Sequence, residues 1–303
     1  MSEQSENRLR WSVVGVGTAG RARAEAIRAD RAASALVAVH WGRHAAEVGA
    51  PVVATLHEAI AAADAVAVCS PTALHPDHVR AALGRGKHVV VEFPLAPTAE
   101  LAESLFALAR SVNRVLHVEH IELLDPPCVT LASHVRPAVV EEASVEFQGP
   151  GPAGATAAEL ALGNVARLHR LTACCGPVAA VRSVEHEPGR LVAELVLGNG
   201  TTARATFERA PYFGRRTTLR VVTGGRTWLQ TNDLLERDRT PVTLIGSGSL
   251  FGQDHRKAVG RILRGGSHYV TEARILHVLD LVDRLGAGRT GLVPQRSDAA
   301  GAP

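Results

Sequence analysis

Gly15-Val16-Gly17-Thr18-Ala19-Gly20 has the spacing GxGxxG and lies between an apolar run, Trp11 to Val16, and a helical stretch, Ala19 to Ala29. In that context each glycine has a task. Gly15 permits the tight turn, Gly17 lets the backbone approach a pyrophosphate, and Gly20 lets helix and strand pack closely, while the helix N-terminus at Thr18 and Ala19 attracts the anion. With 28 glycines in the chain, a plain glycine-rich turn is the bland reading; the strand before and the helix after favour a dinucleotide. A site that prefers NAD carries Asp or Glu about 20 residues further on, on the ribose 2′-hydroxyl. The corresponding stretch here is Val39-His40-Trp41-Gly42-Arg43-His44, with no acid. Arg43 can pair with a 2′-phosphate, so NADPH is expected, with NADH as second choice; a solvated loop arginine is the alternative.

Two further segments follow strands and face the same crevice by the switch-point rule. Cys69, Ser70 and Pro71 with His75 form one, and Glu92 and Phe93 before Pro94 the other. Small and polar residues there can line the ribose and nicotinamide. Taken singly, the prolines can merely end strands and His75 can merely cap a helix. Glu92, Glu119, His120 and Glu122 cluster at the ends of neighbouring strands. His120, an imidazole, could take up or hand on a proton; the competing role for the cluster is a hydrogen-bonded tie between domains. Glu119 and His120, adjacent in a strand, should point to opposite faces.

The elements that would position these groups alternate. Strands are expected at Trp11–Val16, Leu36–Val39, Val52–Ala54, Ala65–Cys69, His88–Glu92 and Val115–Val118. Helices are expected at Ala19–Ala29, His57–Ala62, Pro76–Leu83 and Thr98–Val112. Near-continuous Val-rich strands between helices indicate an α/β domain, a doubly wound parallel sheet of Rossmann type. It should occupy residues 1–124. From Asp125 the pattern changes to an α+β domain over 125–303. Its helices are expected at Val129–Val135, Leu160–Cys174, Gln253–Leu263 and Thr271–Leu285. Its strands are expected at Val139–Phe147, Val178–Glu185, Leu191–Leu197, Thr201–Glu208, Thr217–Val222, Thr227–Gln230 and Val242–Ile245. Turn signals such as Gly198-Asn199-Gly200 make that sheet large and mainly antiparallel. One face should pack on helices; the other, left open, would suit a flat substrate or a homo-oligomer.

Composition narrows the classes. The chain has 303 residues, 46% of them hydrophobic and 21% charged, which supports folded domains over disorder. Thirty-three basic against 30 acidic residues give a net charge of +3, too balanced and scattered for a nucleic-acid face. The start, Met1 to Arg10, is polar and no long apolar segment follows, so a soluble, cytoplasmic protein without a membrane span is expected. Cys69, Cys128, Cys174 and Cys175 lack CxxC spacing and read as buried apolar residues; no metal site is expected, His75 and His78 being explained by a helix start. The tail from Ser297 to Pro303 reads as disordered. Nearly all basicity is arginine, the two lysines being Lys87 and Lys257.

The segments GVGTAG, CSPTALH, GKHVVVEFP and VLHVEHIELL together resemble the glucose–fructose oxidoreductase-like (Gfo/Idh/MocA) dehydrogenase superfamily. Within it the chain is most similar to the biliverdin reductases. That likeness rests on LH-x-EH-x-ELL over Leu116–Leu124, the Arg-Leu to Gly stretch over Arg167–Gly176, and RILH over Arg274–His277. It is dense through residue 124 and thin from 125 to 266. Sugar and polyol dehydrogenases of the superfamily read E-K-P where this chain has Glu92-Phe93-Pro94, so their proton-shuttling lysine is missing. Biliverdin reductases have an aromatic there, commonly Tyr; Phe93 lacks the hydroxyl and can only pack or shape.

The resemblance implies NADPH-dependent reduction of a linear tetrapyrrole, biliverdin to bilirubin, by hydride transfer to the central methine carbon. Two substrate propionates call for arginines. By the same likeness Arg167 lies near substrate, with Arg170 one helical turn on; Arg204, Arg215, Arg216 and Arg220 lie on or between strands, and Glu119 and Glu122 complete the expected substrate contacts. Arg167, Glu92 and His120 are the catalytic candidates, Arg167 acting by positioning substrate or a proton-passing water, since guanidinium holds its proton. An NADP-dependent sugar, polyol or imine oxidoreductase using another acid is the alternative enzyme. A non-catalytic NADPH-binding regulator is the alternative outside enzymes.

Overall fold

The computed structural model describes residues 8–152 and 154–296; the expected disordered tail from Ser297 lies outside them. The elements, in chain order, begin with β1 (Leu9–Val14), α1 (Thr18–Ala29), β2 (Ser34–His40), β3 (Val52–Val53), α2 (Leu56–Ala62), β4 (Ala65–Val68), α3 (His75–Leu83), β5 (His88–Val91), α4 (Ala99–Ser111) and β6 (Leu116–Val118). Then come α5 (Pro126–His134), β7 (Val140–Gly149), α6 (Ala157–Leu162), α7 (Val165–Cys175), β8 (Val178–Glu187), β9 (Arg190–Leu197) and β10 (Thr202–Arg209). The chain continues through β11 (Arg216–Thr223), β12 (Arg226–Thr231), β13 (Leu234–Arg237), β14 (Thr240–Pro241), α8 (Leu250–Arg264), α9 (Glu272–Gly286) and β15 (Gly291–Leu292).

Two compact units result: residues up to 121 together with 248–271, and 122–247 together with those from 272 onward. The single boundary expected at 124/125 is thus corrected, because α8 returns to the first unit. Its apolar stripe, Ala258 and Val259, shares a core with Trp11, Val13 and Ile27. An amphipathic helix settles where that stripe finds a core, whatever its distance along the chain. Ser249 starts the helix by accepting from the Gly252 amide.

The first unit is a six-stranded sheet in the order β3-β2-β1-β4-β5-β6, every pair parallel. Ala65–Val68 is buried at all four positions, as a strand covered on both sides requires. The order reverses between β1 and β4. Ligands of such sheets lie beyond the carboxyl ends of the strands at that reversal.

The second unit holds nine strands in the order β14-β13-β12-β11-β7-β10-β9-β8-β15. β7 and β10 pair in parallel and the other neighbours antiparallel. Strict alternation sorts the faces: Ala143, Val145 and Phe147 of β7 are buried, whereas Glu142, Glu146 and Gln148 are exposed. α7 packs on β7, and α6 packs on α9. The open face carries cross-strand ion pairs, Arg220 with Glu142 at 2.6 Å, Arg190 with Glu208 at 2.8 Å, and Arg182 with Glu194.

Two sequence expectations change here. Val242–Ile245 forms no strand; the short β14 precedes it, and the Ile245 amide instead donates to Thr130 Oγ1 at 2.7 Å. The helix expected over Leu160–Cys174 is split into α6 and α7 at Gly163-Asn164, where the Asn164 amide side chain donates to the Leu160 carbonyl at 2.8 Å. A Cβ at residue 163 would lie 2.3 Å from Nη2 of Arg209, so glycine makes room for that guanidinium. No described helix is long and apolar enough to cross a membrane.

Candidate functional site

The glycine turn sits where β1 meets β4. Gly15 has φ +90, and a Cβ on it would fall 2.5 Å from the Ser70 amide nitrogen, so only glycine fits this crossing of two strand ends. A Cβ on Gly20 would fall 2.1 Å from the Gly15 carbonyl oxygen, whereas one on Gly17 would meet nothing within 4 Å. The space beside Gly17 is therefore open, in front of α1, whose N-terminus has no side-chain cap and no acid in its first turn. These features fit a dinucleotide pyrophosphate.

Arg43 is fastened to the same turn through its neighbours. Val16 donates to the Trp41 carbonyl at 2.7 Å, His44 donates to the Val16 carbonyl at 3.1 Å, and Gly42, at φ +124, packs on Val16 so closely that a Cβ would lie 2.5 Å from its nitrogen. Arg43 itself is exposed. A fixed backbone with a solvent-facing guanidinium suits a 2′-phosphate.

At the other strand ends the side chains divide between cavity and fold. His75 is buried, its Nδ1 2.8 Å from the Pro94 carbonyl and its Nε2 2.7 Å from that of Ser70, so its nitrogens tie two strand ends together. Ser70 Oγ meets His78 at 3.0 Å. The Cys69 thiol donates to Glu92 at 3.7 Å, and burial followed by the Glu92 charge pushes that thiol well up. Phe93 stacks nearly parallel on His120, the ring centres 6.0 Å apart. Glu119 is fully buried and accepts from the Ile121 amide, while the His120 amide donates to the Tyr269 hydroxyl at 2.8 Å.

Behind Glu92 lies a charge network that sequence reasoning missed. Arg23 of α1, 1% exposed, reaches Asp254 of α8 at 2.6 Å and Glu92 at 3.4 Å. Asp254 also accepts from His117 and from the Tyr269 hydroxyl, each at 2.8 Å. Burial opposes the Arg23 charge, but Asp254 and Glu92 hold the guanidinium above its ordinary value. Burial likewise opposes the Asp254 charge, yet Arg23 and His117 keep its carboxyl far below the usual carboxylate range. A sequence signal existed: Arg23 falls on the stripe Gly20, Arg23, Ala24, Ile27, and a cation on an apolar stripe requires a buried counter-charge.

In the second unit Arg167 extends from α7 over the Phe147 ring, 4.2 Å from its centre. Phe147 belongs to the helix-covered face of the sheet. Arg167 is thus on that side, not on the open face expected to receive a flat substrate. Burial first, then Arg215 and Arg170 as like charges, lower its guanidinium to about 10, with Glu122 opposing. Arg170 is taken up by Asp125 at 3.1 Å. Arg216 begins β11 on the open-face parity of Thr218 and Arg220, whereas Arg215, one residue before the strand, is the arginine whose charge bears on Arg167. Arg204 is likewise exposed on the open side of β10, and Arg220 there is paired with Glu142.

Residues 9–120 match the family described as oxidoreductase family, NAD-binding Rossmann fold. That family is the Gfo/Idh/MocA one, and the match covers most of the first unit. Biliverdin reductase A of Homo sapiens is 33% identical over 129 residues, which are 41% of this chain and 44% of that protein. The chain therefore matches less than half the length of this relative. A biliverdin reductase from Synechocystis sp. PCC 6803, solved with biliverdin and NADP+, superposes with a TM-score of 0.77 at 25% identity, over 93% of this chain and 99% of that one. UDP-N-acetylglucosamine 3-dehydrogenase from Acidithiobacillus ferrooxidans superposes at 0.80 with 20% identity, over 93% and 98%, and shows the shared fold alone.

Proposed function

We propose that this chain is an NADPH-dependent reductase of a linear tetrapyrrole, converting biliverdin to bilirubin. The observation that carries the reading is the Arg167 guanidinium: packed on Phe147, crowded by arginines and lowered to about 10, without an ion-pair partner among the described residues. It remains cationic at neutral pH, and a substrate carboxylate beside it would relieve both its lost hydration and the repulsion from Arg215. Propionates supply such carboxylates. The likeness to biliverdin reductases and the absence of lysine at Phe93 support the same reading.

When bound, the reduced nicotinamide supplies hydride to the substrate. Gly15, Gly17, Thr18, Ala19 and Gly20 would hold the pyrophosphate and Arg43 the 2′-phosphate. Cys69, Ser70, Pro71, His75, Glu92 and Phe93 belong to the strand ends around the same turn. Arg23 steadies Glu92, and Phe93 offers a flat apolar surface backed by His120. Arg167 holds the tetrapyrrole, or a water passing a proton to a pyrrole nitrogen, in place. Residue 93 itself has no proton to give. Mixing the protein with biliverdin and NADPH should move the visible spectrum to that of bilirubin. Turnover of polyols with NADP+ that Arg167→Ala leaves unchanged, with no bilin reduction, would replace this reading by the sugar dehydrogenase one; tight NADPH binding without hydride transfer to any acceptor would replace it by a regulator.

A further inference from the structure

The second half of α8 carries cations that neither the glycine turn nor the Arg167 cluster uses. Lys257, Arg261 and Arg264 follow i, i+4, i+7 spacing and share one helix face, with Arg256 beside them. Together with His117 of β6 and His268 they line an open cavity of about 490 Å3 in the first unit. No carboxylate lines it, and none of its walls comes from the glycine turn or from the strand ends at 69–75 and 92–94. Arg256, Lys257 and Arg264 have no ion-pair partner among the described residues; Lys257 instead lies 5.5 Å from the centre of the Tyr269 ring. A Cβ at residue 260 would fall 2.7 Å from Nη2 of Arg264, so Gly260 lets that guanidinium lie back along the helix at the cavity wall.

The lining also holds unspent hydrogen-bonding capacity. His268 accepts from the Val270 amide at its Nδ1, at 2.8 Å, which in the neutral ring leaves the proton on Nε2, and Nε2 is enclosed with no acceptor. His117 is 1% exposed and directs Nε2 to Asp254, leaving Nδ1 without a partner. Burial, then His117 and His120, lower His268 to about 2, so the neutral form is the one present. An enclosed donor lacking an acceptor costs about 1–3 kcal/mol, and an anion oxygen would offset that cost.

We propose that this cavity is a second anion site, which binds the phosphate or pyrophosphate group of a small molecule. Arg264 offers a planar donor fork and Lys257 a point charge, the combination that recognises clustered phosphate oxygens, while Arg261, whose Nη1 donates to the Leu116 carbonyl at 2.8 Å, adds positive charge to the wall. A bound hydrogen phosphate could also donate its own proton to Nδ1 of His117.

The test is calorimetric titration of sodium pyrophosphate, and separately of inorganic phosphate, into the full chain at fixed ionic strength, with and without saturating NADPH. The expected result is one-to-one binding that NADPH does not abolish. The double variant Lys257→Ala/Arg264→Ala should weaken it about tenfold or more while leaving NADPH affinity and the thermal midpoint unchanged. Charge reversal at Arg264→Glu should act the same way. Competition by NADPH would assign the anion to the glycine turn and overturn the proposal, as would equal affinity in wild type and variants. A single-stranded oligonucleotide that binds through these residues and is not displaced by pyrophosphate would overturn it in favour of nucleic acid.

Discussion

Arg23 and Arg167 are both withdrawn from water, in opposite company. Arg23 is fully enclosed between Asp254 and Glu92, and its charge is held more firmly than in water. Arg167 is partly enclosed, stacked on Phe147 among other arginines, and its charge is held less firmly. The same side chain therefore serves two purposes. A buried cation with its counter-charges in place joins α1 to α8 and completes the first unit; a desolvated cation that lacks one is, in the function proposed above, the group that would receive a substrate carboxylate.

The contrast is broken most sharply at Arg23. Arg23→Met leaves Asp254 buried without its cation and should lower unfolding stability by about 3–5 kcal/mol in urea titration. A loss below about 1 kcal/mol would mean the pair is not structural. Acid should attack the same unit next. His255, buried on α8 2.9 Å from Ser34, is lowered to about 4 by burial and then by Arg23. The unfolded chain, with an ordinary histidine value near 6.5, binds that proton first, so the stability His255 contributes is present above about pH 6.5 and lost as pH falls toward 4. His255→Gln should flatten the decline of the urea midpoint across that interval, and an unchanged slope would place the acid sensitivity elsewhere.

Arg167→Ala should do the reverse of Arg23→Met. It removes a repelled charge, so stability should change by less than about 1 kcal/mol, whereas affinity for the bilin should fall by roughly ten- to a hundredfold, the worth of a charge-assisted hydrogen bond. Folding loss with intact affinity would erase the distinction between the two arginines. The smallest effect is expected at the exposed Arg43, where Arg43→Ala should weaken NADPH roughly tenfold and leave NADH nearly unchanged in fluorescence titration. Equal losses for both would remove the argument for a 2′-phosphate contact.

Much of this was legible in the chain. The glycine spacing and the Val-rich runs defined a parallel sheet and its cofactor turn because both depend on neighbours a few residues apart. The replacement of lysine by Phe93 was legible for the same reason. Among the four arginines expected on or between strands, the sequence does not say which one acts on Arg167; that it is Arg215 depends on where β11 begins its pairing with β7 and β12. The ion pairs that cross the strands on the open face were not legible either, because strand register decides which side chains meet there.

What sequence alone determined is local: which segments are strands or helices, where a backbone can turn without a side chain, and which residue types could meet phosphate or carboxylate. Tertiary structure alone decided which charges are neutralised. Asp254 lies 231 residues from Arg23, and only the return of α8 to the first core joins them. Coulomb energy depends on distance and surrounding dielectric, and the order of residues along a chain specifies neither until the core has closed.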